Sequence, residues 1–142
     1  MTMGMCCRSL CQVHNETANI YTHMLPALYI LIQLVLLITG SGCYAKFNHQ
    51  QSFWVQFVCC ISILVCMTGS SVYHTFFPLG SYYYFLFLKI DLMGIGVMIF
   101  GLTIAASYVG FHNWQFQRDC VMLVMGFFMF ANLMIQMIPC YA

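Results

Sequence analysis

Charge is almost missing from this chain. Of its 142 residues, four are Lys or Arg and three are Asp or Glu, 5% in all, against about 25% in an ordinary soluble domain. Seven charged groups cannot solvate a globular surface, which excludes a soluble domain. No basic run exists, and the net charge is only +1, so an electrostatic nucleic-acid surface is excluded as well. Zinc-type Cys-x-x-Cys pairs are missing. The nine cysteines lie mostly within or beside apolar runs, where a thiol packs as a small hydrophobe, so no disulfide framework is expected. A cleavable leader is not expected either, because the first apolar run is too long for its hydrophobic region. Alternating strand patterning of the β-barrel kind is absent.

What is present is hydrophobicity, 63% of all residues, gathered into runs. Four of them reach bilayer length, about 20 residues each: roughly residues 20–40, 53–77, 85–110 and 120–138. Lipid offers the backbone no hydrogen-bond partners, so each run is expected to be helical. The reading is an all-α, polytopic membrane helix bundle of about four transmembrane helices, forming one domain over residues 1–142. Short polar segments separate the spans, and the second, "PLGSYYY", is read as a loop. Tyr82, Tyr83, Tyr84, Trp54 and Trp114 are read as interfacial anchors.

Orientation is poorly encoded. Arg8 and Lys89 fall on one side, and Lys46 and Arg118 on the other, so the positive-inside rule is silent. Cys6 and Cys7 beside Arg8 form a weak juxtamembrane acylation signal, with two unmodified thiols the plainer reading. Asn15-Glu16-Thr17 matches a glycosylation sequon and is treated as a chance match. Parity alone, however, puts the start of span one, the end of span two and the start of span three on one membrane face. His23, His74 and Asp91 therefore share a depth and a side.

Ionisable groups in hydrocarbon usually point into the bundle and have partners. His74 lies near the end of span two, with Ser70 four residues earlier on the same helical face. Asp91 enters span three about two turns in, and Gly94, one turn later, allows close backbone approach. A short connection makes these spans antiparallel neighbours, so His74 is expected to approach Asp91. Three readings of the pair stay open: a structural hydrogen bond, a proton relay, and part of a metal site. One imidazole is too few for catalytic zinc, which takes three protein ligands plus water. His14, Glu16 and His23 share the membrane face and are candidates, although residues 14–23 also read simply as a polar helix start capped by Asn15 or Thr17.

The stretch "HNETANIYTHMLPALY" resembles the opening of the progestin and adipoQ receptor family, which includes the adiponectin receptors and is related to haemolysin III. Its Glu-x-x-Asn-Ile-aromatic-Thr-His signature is matched by Glu16, Asn19, Ile20, Tyr21, Thr22 and His23. Its Ser-x-x-x-His is matched by Ser70 and His74, and its Asp followed by a small residue by Asp91 and Gly94 in "KIDLMGIG". The resemblance implies a seven-helix core with a cytosolic N-terminus in a plasma or internal membrane. It implies a Zn2+ ion held by His74 and by two histidines of a His-x-x-x-His motif in the last span. Asp91 and Ser70 would sit beside the zinc-bound water. It further implies hydrolysis of ceramide-like lipid amides, with receptor roles for adiponectin or progestin-like ligands in particular branches.

This sequence ends after about four spans and contains no His-x-x-x-His, so two of the three implied ligands are missing. The expectation is an incomplete member of the family, whose intact parent is a multi-pass receptor with zinc-dependent hydrolase chemistry. Whether this chain is itself an enzyme is left open. One alternative is a non-catalytic four-helix protein that pairs with full-length relatives, with Gly101/Ala105 and Ala106/Gly110 as packing steps. The other is a proton-conducting His74–Asp91 pair. Asn132 and Gln136, four residues apart in span four, are read as interhelical hydrogen-bonding groups.

Overall fold

The computed structural model describes residues 1–41 and 50–138, without the side chains of residues 50–52. The described residues form five α-helices: α1 (Met3–Ser9), α2 (Thr17–Thr39), α3 (Gln50–Phe76), α4 (Ser81–Gly110) and α5 (Gln115–Met137), with a short 3-10 turn at Phe77–Leu79. No strand occurs among them. Helices α2 to α5 are all long and apolar enough to cross a membrane. Lys46, which entered the charge count, lies outside the described residues.

The helices stand in a row. α3 packs on α2 to one side and on α4 to the other, and α4 alone carries α5. Among the described residues α2 makes no packing contact with α4 or α5. The reason for the tight α3–α4 seam is small residues. A Cβ on Gly94 would lie 3.0 Å from the Cys66 Cα, so a larger residue would push the two backbones apart. Gly101 and Ala105 are buried on the same seam, and Gly101 faces the buried Ser62. Among the described residues Gly110 meets nothing within 4 Å, so the second small-residue step, Ala106/Gly110, packs on none of them. No residue of α5 is buried.

Helix ends explain the connections. α2 stops at Gly40, which takes the left-handed conformation (φ 61°) that its missing Cβ allows. The amides of Gly40 and Ser41 return to the last carbonyls of α2, both reaching Leu36, so the end is capped by backbone. Pro26 removes the one amide that would have bonded the Thr22 carbonyl, and α2 continues past it.

One expectation is corrected. Tyr82, Tyr83 and Tyr84 are not in a loop; they form the first turn of α4, which starts directly after Gly80. The Tyr84 ring lies 5.9 Å from Tyr73 and 6.2 Å from Phe77, so this turn is held by packing on the end of α3. The first residues are helical: Thr2 caps α1 by accepting from the Met5 amide at 3.4 Å. Cys6 on α1 is fully buried, and α1 rests on α3 and the 3-10 turn.

Candidate functional site

The antiparallel row puts the start of α2, the end of α3 and the start of α4 at one membrane face. The segment before α2 folds over that face. The Tyr21 hydroxyl donates to the Leu10 carbonyl at 2.7 Å, pinning the incoming chain beside the first turns of α2. Thr17 accepts from the His14 amide at 2.8 Å and donates to the Gln12 carbonyl at 3.2 Å. Glu16 takes the N-cap position, but its side chain makes no capping bond. Neither Asn15 nor Thr17 is therefore the cap that was expected.

The Glu16 carboxylate turns instead to the end of α3. Its Oε2 accepts from Asn19 Nδ2 at 2.9 Å and contacts His74 Nδ1 at 2.8 Å. The Asn19 bond above all, and then the His74 bond and charge, hold the Glu16 carboxyl below the ordinary carboxylate range, while partial burial opposes them. An ionised carboxylate only accepts, so His74 Nδ1 is the donor. His23 stacks on His74 with centroids 5.9 Å apart, and its own Nδ1 lies 2.7 Å from the Asn19 carbonyl. Tyr73 meets His74 edge-on at 5.0 Å.

The predicted residues are placed as follows. Ser70 is one turn deeper than His74 on α3 and 4% exposed. Among the described residues its hydroxyl has no hydrogen bond, whereas Ser71 and Thr75 bond back to the Met67 and Ser71 carbonyls. Asp91 is half-buried on α4. It makes no hydrogen bond or ion pair among the described residues. The expected direct contact of His74 with Asp91 is not made. Glu16 takes the imidazole instead, because Asn19 and the folded-over segment fix that carboxylate within bonding distance. Glu16 and Asn19 were visible as parts of a motif. Nothing in a separation of 58 residues signalled that Glu16 meets His74.

No group of three His, Cys, Asp or Glu among the described residues is placed to hold a metal ion. His74 offers one ring nitrogen and spends the other on Glu16, while His23 turns its Nδ1 toward backbone. These residues do not fit a three-ligand zinc centre.

A cavity of about 440 Å³ opens at this face, lined among others by Gln12, His14, Asn15, Glu16, His74 and Pro78. His14 Nε2 is buried there without a hydrogen-bond partner. Two further hollows are more apolar. One of about 290 Å³ runs between α2 and α3 from Leu10 to Leu64, and one of about 310 Å³ lies between α4 and α5 beside Asn132 and Gln136.

Residues 11–142 match the haemolysin-III-related family. The human membrane progestin receptor alpha is 27% identical over 129 residues, covering 86% of this chain and 34% of that protein. The Drosophila melanogaster adiponectin receptor protein is 29% identical over 107 residues, covering 75% of this chain and 23% of that protein. The Caenorhabditis elegans progestin and adipoQ receptor-like protein 1 is 27% identical over 107 residues, with shares of 75% and 24%. The chain thus spans about a third or less of the length of these relatives.

Proposed function

The chain belongs to the haemolysin-III-related family, and on that premise we propose that it serves as an integral, multi-pass membrane receptor component of the progestin and adiponectin receptor type, with its ligand site at the Glu16–His74 cluster. One observation carries this reading. The 2.8 Å contact between Glu16 and His74 unites two separate signatures, Glu16-x-x-Asn19 and Ser70-x-x-x-His74, in a single site facing a cavity. The relatives' names point to progestins and adiponectin as the ligands to try. The test is saturation binding of a labelled progestin, and of labelled adiponectin, to membranes carrying the chain. Saturable binding that is lost in Glu16→Ala supports the proposal. Absence of saturable binding for both probes sinks it.

The finer reading is zinc-dependent hydrolysis of a ceramide-like membrane lipid, with His74 as a metal ligand and Asp91 and Ser70 near a bound water. In its favour, the Ser70 hydroxyl and the Asp91 carboxylate are uncommitted and near the His74 end of the α3–α4 seam. Two further ligands would come from outside the described residues. Zinc per chain, measured after purification from membranes, should fall in His74→Ala; equal zinc in both proteins would remove this reading.

A second reading, a non-catalytic bundle that pairs with a full-length relative, has its own support. α5 buries nothing, and its Asn132 and Gln136 carboxamides have no hydrogen bond among the described residues. Recovery of a tagged full-length relative with this chain, reduced by replacing both carboxamides with leucine, is the expected outcome. Recovery of the chain alone would discard it.

A further inference from the structure

α1 and the turn after it are poorly suited to water. Residues 1–13 hold one charged side chain, Arg8, yet Met1, Met3 and Met5 are more than half exposed and Val13 is 97% exposed. So much apolar surface in one short segment marks a contact. The helix is tied at both ends to spanning elements. Its terminal amine donates to the Pro78 carbonyl at 3.5 Å, and the Leu10 carbonyl is held by Tyr21. Leu10 keeps helical backbone angles (φ −55°, ψ −30°), so helical positions count through it. With about 3.6 residues per turn, the buried Cys6 marks the side on α3. Met3 and Leu10 then fall on one flank, Met5 and Ser9 on the other, and Arg8 outermost.

The two flanks have different surroundings. Ser9 lines the cavity at the membrane face together with Gln12, Asn15 and Glu16. Leu10 instead lines the apolar hollow between α2 and α3. The walls of that hollow include Leu28 and Leu31, which are about half exposed within a spanning helix. Met24, Thr75 and Phe76 share the hollow with Leu10 and lie near the ends of their spans, which puts Leu10 at the membrane boundary. We propose that the Met3–Leu10 flank of α1 is a membrane-surface contact, seated between the headgroups and acyl chains of the leaflet in which α2 begins. The bilayer is the occupant because this flank is continuous with the hydrocarbon-facing side of α2 and α3. Helices that lie in a membrane surface carry their cations on the polar face, and Arg8 takes that place on the outer side. Met5 and Ser9 face water over the cavity. The bilayer thereby holds α1 across the end of α3 and leaves the cavity at Glu16 and His74 on the aqueous side. The proposal is independent of any ligand for that cluster.

The experiment is methyl NMR of the methionine-labelled full chain in phosphatidylcholine nanodiscs, with signals assigned by Met3→Leu and Met5→Leu. Two paramagnetic probes are compared. One is a phosphatidylcholine spin-labelled near the top of its acyl chain, and the other is a water-soluble gadolinium chelate. Met3 and Met5 are almost equally exposed, at 59% and 52%, so exposure alone predicts the same response from both. The expected result is a ratio of lipid-probe to water-probe broadening several-fold higher for Met3 than for Met5. Met98, within the α4 span, should be protected from the chelate, which certifies that the chain is inserted. Equal ratios for the two methionines, or a higher one for Met5, overturn the proposal. Broadening of Met3 by neither probe means that protein covers the flank, and overturns it as well. The conservative leucine variants keep the apolar flank, so the methionine that remains in each should respond as it does in the wild type.

Discussion

Glu16 is the residue on which the site turns, because its bonds to Asn19 and His74 exist only in full while its carboxylate is ionised. Those bonds lower its proton affinity in the folded chain. A carboxyl depressed on folding contributes stability that is complete above its unfolded value and is lost as pH falls through the folded one. Wild type should therefore melt at a higher temperature than Glu16→Gln at neutral pH. The gap should begin to close as pH drops below the ordinary carboxylate range, and vanish below the depressed native value. A gap that stays unchanged as pH falls through and well below that range would contradict the assignment of the charge to Glu16. The partners on α3 explain why the effect is local: His74 is tied to the N-terminal segment, while Ser70 and Asp91 lie deeper and make no bond to it.

Among the elements, the α3–α4 pair is the most constrained. Its spacing is set where a Cβ on Gly94 would come within 3.0 Å of the Cys66 backbone, and backbone cannot step aside as a side chain can. Gly94→Val should destabilise the helix pair by about 1–3 kcal/mol, read as earlier unfolding on addition of a denaturing detergent. Gly110→Ala, which meets nothing within 4 Å, should change stability by less than about 0.5 kcal/mol. Equal effects of the two substitutions would show that the close seam is not what holds α3 to α4. The first turn of α4 belongs to the same argument. Tyr84 packs on Tyr73 and Phe77, which is why a segment with loop-like composition becomes helical.

At the scale of the whole molecule, four spanning helices place α1 and the start of α2 opposite the α4–α5 connection. Cys7 and Cys11 are exposed at the first face. In otherwise intact vesicles, an impermeant maleimide should label these two thiols or a cysteine introduced by His112→Cys, and never both sets. Labelling of both from one side would mean that one of the four helices does not cross. The same arrangement leaves α2 and α5 as the ends of a row, each with a broad face turned to lipid or to further helices.

The number of apolar helices was legible in the sequence, because a backbone in hydrocarbon has no choice but to bond to itself. So was the shared membrane face of His23, His74 and Asp91, which follows from counting crossings, although Asp91 lies more than a turn deeper than His74, level with Gly69 against Ile90; and so were the motifs that mark the family. Three things were decided by tertiary structure alone. The tyrosines of residues 82–84 joined α4 because of rings on α3. α1 formed against a surface that exists only once α3 and the 3-10 turn are in place. His74 took Glu16 rather than Asp91 because the segment before α2 folds back and is pinned at Tyr21, and a bond between residues 58 apart depends on where two helices end in space, which no local periodicity records.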